Sequence, residues 1–305
     1  MSLPLAPERA KAEAAGIAAR LPPLLIAAER IAASIEQGVH GRRRIGPGDV
    51  FWQYRLYTPG DEMRRLDWRQ SAKSDRLYLR QMEWSAAQSV FLWCDLSPSM
   101  DYASRKNLPS KAERAQVLLL ALANVLARAG ERVALLGDPE PPVSGRNVPE
   151  RLADRLAHLA AQAEARKSEV ASLPPKAKLP AHAHVVLIGD FFSPLDEMHD
   201  IIERFAGQDI RGHLLQVLDP AEVAMPFLGR VKFLGLEREG DLLMSRAESI
   251  REAYHGRLAE HQEGLKHLAR HAGWSFSSHV TDAPAAPALL TLYQWLAADQ
   301  RVRAR

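Results

Sequence analysis

The sequence predicts an α/β fold: a mostly parallel sheet with helices on both faces, preceded by a small N-terminal β-rich lobe. Three observations carry this. From residue 85 onward, strand-like and helix-like segments alternate, the pattern of repeated βα units. The run His184-Val185-Val186-Leu187-Ile188-Gly189 is almost wholly apolar, as a strand buried on both faces must be. Residues 38 to 84 instead mix turn residues with an alternating aromatic stretch, which suits short paired strands better than helices.

Taken in order, residues 7 to 37 are Ala-rich with helical spacing, split by Pro22 and Pro23. Leu24, Leu25, Ala28, Ile31, Ala32 and Ile35 form one stripe, so residues 1–37 are assigned as a helical segment packed on the main body. The second region spans 38–84. Gly41 to Asp49 reads as a turn-rich basic loop, Phe51 to Tyr57 as an alternating strand, Thr58-Pro59-Gly60-Asp61 as a turn, and Leu77 to Glu83 as a second strand. This region holds ten Lys and Arg against six Asp and Glu, an excess of four. The plainer account of it is a small lobe whose arginines pair with its own acids and pack on its aromatic rings.

The third region, 85–305, carries the α/β alternation. Strands are predicted at Val90 to Cys94, Arg132 to Gly137, His184 to Gly189, Asp209 to Leu218 and Trp274 to Val280. Helices are predicted at Lys111 to Arg128, from Pro149 to about Ala165, Pro194 to Phe205, Ala247 to Ala272 and Ala288 to Ala298. Gly130 suits a helix C-cap. Phe227 to Gly240 and the residues after it read as a short hairpin.

The bulk numbers narrow the function classes. The chain has 305 residues, 47% apolar and 25% charged, with a formal net charge of +3, an ordinary globular balance. The single cysteine, Cys94, lies inside an apolar run; it excludes an intrachain disulfide framework and is expected to be a buried, inert thiol. No segment supplies the roughly 20 apolar residues a membrane-spanning helix needs. The N-terminus lacks the order of charges and apolar residues of a signal peptide, so a cytoplasmic protein is expected. There is no Gly-x-x-x-x-Gly-Lys-Ser/Thr loop, no Gly-x-Gly-x-x-Gly after a strand and no Gly-x-Ser-x-Gly elbow.

The candidate chemistry sits at two strand ends. Val90 to Cys94 delivers Asp95-x-Ser97-x-Ser99, and the strand His184 to Gly189 delivers Asp190. In an open α/β sheet, ligands gather at the carboxyl ends of strands, and neighbouring strands would let Asp95 and Asp190 face one cation. Hard cations such as Mg²⁺ take oxygen ligands, which a carboxylate and two serine hydroxyls from one turn supply in part. The alternative role for such serines is to cap a turn or helix. Asp101, Asp138 and Asp196 are assigned as solvated loop carboxylates, and the i, i+4 pair His267 and His271 as a surface pair.

This constellation resembles the metal-ion-dependent adhesion site of von Willebrand factor A domains. The motifs Gly46-x-Gly48, Tyr54-Arg55-x-Tyr57-x-Pro59-Gly60-Asp61, Arg64-x-Leu66-Asp67-Trp68-Arg69-x-Ser71-Ala72 and Arg80-x-x-Glu83, ahead of the Asp-x-Ser-x-Ser loop, look like the DUF58 family. Its members are bacterial proteins with a von Willebrand factor A-like domain, often associated with MoxR-type AAA+ ATPases. The resemblance implies a metal site at Asp95, Ser97, Ser99 and Asp190, holding Mg²⁺ or else Mn²⁺ or Ca²⁺. It also implies a signature surface or scaffold built from Arg55, Tyr57, Gly60, Asp61, Arg64, Asp67, Trp68 and Arg69. Complete adhesion sites add a threonine between the two aspartates. This chain's threonines are Thr58, Thr281 and Thr291, so Ser144 or Asn147 would have to substitute and metal binding would be weak. The implied function is a non-enzymatic adaptor that binds a partner through this site, with a MoxR-type ATPase or its client as partner, in complex assembly or chaperone-like remodelling. Two alternatives remain: a metal-dependent phosphoester hydrolase using Asp95, and nucleic-acid binding through the basic 38–84 lobe.

Overall fold

Five apolar segments lie side by side in the computed structural model, which describes residues 45–58, 61, 63, 66–74, 76–83, 87–165, 172–235 and 240–303. The expected helical segment 1–37 falls outside the described residues. Those described form two compact units, one spanning Gln88–Leu296 and the other residues 45 to 87 with 297 to 303.

In the smaller unit, β1 (Ile45–Leu56) pairs antiparallel with β2 (Tyr78–Glu83), and α1 (Trp68–Ser71) is a single helical turn between them. The strand begins earlier than the sequence suggested. Ile45 and Val50 both face Glu83, so Gly46-Pro47-Gly48-Asp49 is accommodated as an irregularity in the strand rather than as a loop before it. A break in register is where a strand tolerates a proline and glycines. Leu66 and Leu79 bridge to each other and are both buried.

The larger unit contains β3 (Ser89–Cys94), α2 (Lys111–Arg128), β4 (Arg132–Leu135), α3 (Val148–Ala165), β5 (His184–Gly189), α4 (Leu195–Ala206), β6 (Arg211–Leu218) and α5 (Pro220–Ala224). The hairpin β7 (Val231–Phe233) and β8 (Leu242–Met244) follows, then α6 (Arg251–His271), β9 (Ser275–Val280) and α7 (Ala285–Arg303). The five-stranded sheet has the order β4-β3-β5-β6-β9 with every pairing parallel. Helix α7 is longer than the predicted Ala288 to Ala298 because Pro287 lies in its first turn, where a proline is tolerated.

Alternate strand residues feed two cores. Val90, Leu92, Cys94, Val186, Ile188 and Leu215 pack with α2, α3 and α7 on one face. Phe91, Val185, Leu187 and Leu214 pack with α4 and α6 on the other. Covering both faces is what makes β3 and β5 read as continuous apolar runs rather than alternating ones. Leu118, Leu119 and Leu122 of α2 are completely buried, each contributing about 1.5–3 kcal/mol by leaving water. Among the described residues, no helix is long and apolar enough to cross a membrane.

The strand order places the functional question. From β3 the chain runs through α2 to β4 on one side, while β5 lies on the other side of β3. The connections leaving β3 and β5 therefore diverge, which opens a crevice at their carboxyl ends.

Candidate functional site

Asp95 is the first residue beyond β3, and its N–H still donates to Ile188 O at 2.8 Å, in register with β5. Its carboxylate is completely buried. Oδ1 accepts the Ser97 N–H at 2.8 Å, the side-chain-to-backbone closure by which an aspartate shapes a turn. Pro98–Asp101 forms one 3-10 turn, with Met100 buried beneath it. The Ser97 and Ser99 hydroxyls lie 3.1 Å apart, and Ser99 donates to Asp190 Oδ2 at 2.8 Å. The two strand ends thus meet through a serine, and Asp95, Ser97, Ser99 and Asp190 converge.

The close approach depends on Gly189. A Cβ there would stand 3.0 Å from Asp95 Cβ, tight enough to push the carboxylate aside. Asp190 is held by its main chain too, its carbonyl accepting from Gln216 Nε2 at 2.8 Å while Gln262 donates to Gln216 Oε1 at 2.8 Å. Phe191 then turns the chain with φ +53°, a left-handed conformation unusual for a bulky residue. Its buried ring and a bond from His261 Nε2 to its carbonyl at 2.7 Å hold it there.

The residue that sequence reasoning missed is Lys111. It is the first residue of α2, behind a capping box in which Ser110 and Glu113 bond reciprocally. Its side chain is 1% exposed and donates to Asp190 Oδ2 at 2.9 Å and to Glu222 Oε1 at 2.6 Å. The Phe192 ring lies 5.4 Å from Nζ, within range of a cation–π contact. Burial works against the ammonium's charge, but Asp190 and Glu222 outweigh it and hold its pKa above the ordinary lysine value. Burial pushes Glu222 up, with Lys111 opposing.

Glu222 has two duties. It occupies the third position of α5, where Asp219 caps the helix by accepting from Ala221 N at 2.7 Å and Glu222 Oε2 accepts the Asp219 N–H at 2.8 Å. Asp219 Oδ2 also accepts the Ser104 N–H at 2.9 Å, fastening the loop before α2. One signal for Lys111 existed in the sequence: a lysine in the first helical turn faces the positive end of the helix dipole, an arrangement that needs a compensating anion. For Glu222 the signal was the Asp219-Pro220-x-Glu222 cap after a buried strand.

Ser144 is not brought to this cluster. Val143 returns antiparallel along β4, exchanging hydrogen bonds with Val133 at 2.8 and 3.0 Å. That carries the exposed Ser144 and Asn147 toward the amino ends of the strands, away from Asp95. Asp138 is paired with Arg155 instead, and that neighbour holds its carboxyl below the usual range. Asp101, at the end of the 3-10 turn, and Asp196, in the first turn of α4, are both exposed. His267 and His271 stack on the surface of α6 with ring centroids 6.4 Å apart.

In the smaller unit the signature residues make a scaffold. Arg55 pairs with Asp61 at 2.7 Å, Thr58 donates to Asp61 through both N–H and Oγ1, and Asp67 caps α1 by accepting the Gln70 N–H at 2.9 Å. Arg55 and the bonds from Thr58 hold the Asp61 carboxyl far below its ordinary range. Tyr57 is half-buried, and Trp68 and Arg69 are exposed. Gly60 and Arg64 lie outside the described residues.

The implied divalent cation can be tested against these contacts. Asp190 Oδ2 is already shared by the Ser99 hydroxyl and the Lys111 ammonium. A divalent ion on that carboxylate would face the ammonium at close range, where unit like charges about 4 Å apart repel by roughly 4 kcal/mol near a protein surface. Asp95 Oδ2 is buried and accepts no hydrogen bond among the described residues, so the misfit with a resident divalent cation lies at Asp190, where Lys111 already takes the oxygen, and at Ser144, which lies elsewhere.

Comparison with known proteins adds the following. A family model described as a protein of unknown function, DUF58, matches residues 53–264. Uncharacterized proteins of Mycobacterium bovis and Mycobacterium tuberculosis are each 24% identical over 245 residues, covering 78% of this chain and 76% of theirs. Among solved structures, an aerotolerance-related membrane protein from Bacteroides fragilis with multiple mutations to serines is 17% identical. It covers 68% of this chain and 98% of its own, with a TM-score of 0.39. The conserved hypothetical protein BatB from Bacteroides thetaiotaomicron is 16% identical over 70% of this chain and all of its own (100%), with a TM-score of 0.37.

Proposed function

The chain belongs to the DUF58 family, and from that premise we propose that it is a non-enzymatic adaptor presenting the carboxyl edge of its five-stranded sheet to a protein partner. The observation that carries this reading is the convergence of Asp95, Ser97, Ser99, Asp190 and Lys111 at the point where the connections from β3 and β5 diverge. That is where open α/β sheets place their ligands. Hydrogen bonds and the Lys111 ion pairs hold the edge in shape, as a preformed recognition surface requires. Phe192, 42% exposed, and Val223, 40% exposed, give the edge apolar contact points beside its charges, the combination typical of protein interfaces.

The same proposal takes the larger unit as von Willebrand factor A-like. An Asp-x-Ser-x-Ser loop following a central parallel strand, with a second aspartate ending the neighbouring strand, supports that reading. The partner, by the family resemblance, is a MoxR-type AAA+ ATPase or its client, and the pair acts in assembly or remodelling of a complex.

The test is capture of the MoxR-type ATPase encoded in the same genome by the immobilised chain. Phe192→Asp and Val223→Asp should each reduce capture at unchanged melting temperature. Full capture by both variants would remove the edge from the interface.

A further inference from the structure

We infer that Lys111 is the resident cation of this edge, holding Asp190 where a divalent metal would, so that the edge recognises its partner without one. The inference deepens the adaptor reading and rests on it only for the partner.

The geometry supplies the reasons. In a metal-centred edge the aspartates and serines are gathered by a cation that arrives from solution. Here the gathering is done from within. The Lys111 ammonium touches the Asp190 carboxylate at 2.9 Å and Glu222 at 2.6 Å, and is 1% exposed. Ser99 completes the same Asp190 oxygen at 2.8 Å, and Ser97 meets Ser99 at 3.1 Å. Asp95 Oδ1 closes its own turn through the Ser97 N–H, while its buried Oδ2 accepts no hydrogen bond among the described residues. The helix that supplies the lysine is fixed by the Ser110–Glu113 capping box, so Nζ is delivered to the crevice by the backbone rather than by a mobile loop. The face of the ammonium not used by carboxylates is closed by the Phe192 ring. A lysine ammonium has three hydrogens to donate and no lone pair. It therefore neutralises carboxylates but leaves no coordination position open, unlike a metal. A partner's carboxylate has no ion to complete. The edge instead offers a fixed, charge-paired surface around Phe192.

Mn²⁺ binding to the purified chain, read by electron paramagnetic resonance, tests this directly and needs no partner. The wild type should leave millimolar Mn²⁺ free in solution, and its melting temperature should be the same in Mg²⁺ and in EDTA. Lys111→Met should gain Mn²⁺ binding by roughly tenfold or more, since a like charge leaves contact with the site, whereas Lys111→Arg should not. Should Lys111→Met fail to fold, the charge-balanced Lys111→Met/Glu222→Gln variant takes its place. Wild-type Mn²⁺ binding that is lost in Ser97→Ala would overturn the inference, as would a folded lysine-free variant with no gain. Partner capture that occurs but vanishes in EDTA would sink the metal-free edge while leaving the adaptor reading intact. Absence of capture by wild type would do the reverse.

Discussion

The Lys111 ammonium lies 2.9 Å from Asp190 Oδ2, joining the first residue of α2 to the residue that follows β5. Both groups are almost wholly buried. Breaking a buried pair from one side leaves a charge with no counter-ion, at a cost of about 3–5 kcal/mol. Lys111→Met should therefore lower the unfolding free energy by that much in metal-free buffer, read as a lower urea midpoint at unchanged slope. The Lys111→Met/Glu222→Gln variant, with one carboxylate fewer, should recover part of the loss. A single variant as stable as wild type would mean that the ammonium holds nothing together.

Gly212, in β6, lies against the Trp274 indole, and a Cβ at that position would overlap the ring. Trp274 is fixed in turn by a hydrogen bond from its indole N–H to Ile210 O at 3.0 Å. Overpacking a filled core costs about 1–3 kcal/mol and sometimes more. Gly212→Ala is expected to lose at least that in denaturant unfolding, and an unchanged midpoint would show that the ring has room to move.

Acid should weaken the fold before the carboxylates titrate. Burial pushes His213 down to about 3, and burial followed by Arg114 pushes His279 down to about 4, from an ordinary 6.5. Below pH 6.5 the unfolded chain takes up protons that the folded chain refuses, so stability rises with pH in that window. It is complete above pH 6.5 and falls progressively toward pH 4 for His279 and pH 3 for His213. Each histidine contributes about 1.4 kcal/mol per pH unit while the difference is full. Urea midpoints measured from pH 7 to 5 should decline, and the slope should flatten in His213→Asn. A flat profile in the wild type would contradict the buried neutral imidazoles.

Cys94 should be silent toward thiol reagents. Its side chain is buried, and burial followed by the Asp95 charge pushes the thiol up to about 12. The thiolate is the reactive form, so Ellman's reagent should find no thiol in the native protein and one in guanidinium chloride. Native reactivity on the minute scale would mean that the end of β3 opens.

The frame of the larger unit was legible because its causes are local. Apolar runs long enough for a strand but not a helix mark β3, β4, β5 and β6, and Lys111 to Arg128 carries its own cap and apolar face. The meeting of Asp95 with Asp190 was legible too, since both residues end strands that a parallel sheet makes neighbours. The lysine bridge was not, because its partners stand 79 and 111 residues away along the chain and no periodicity reports such a pairing. Ser144 misled for a related reason. Sequence marks a loop after β4 but not its direction, which the Val133–Val143 bridge decides. In the lobe, Arg55 and Asp61 read as opposite charges near a turn and proved to be a pair, whereas Gly46 to Asp49 read as a loop and were absorbed by β1.

Phe191 has a consequence for how the edge would respond to load. A bulky residue in the left-handed region stores about 1–3 kcal/mol that its surroundings must hold in check. The clamps are its buried ring and the His261 bond from α6. The hinge beside Asp190 is therefore cocked rather than relaxed. A partner that drew Asp190 outward would let Phe191 swing into ordinary backbone, and would be helped by energy already banked in the fold.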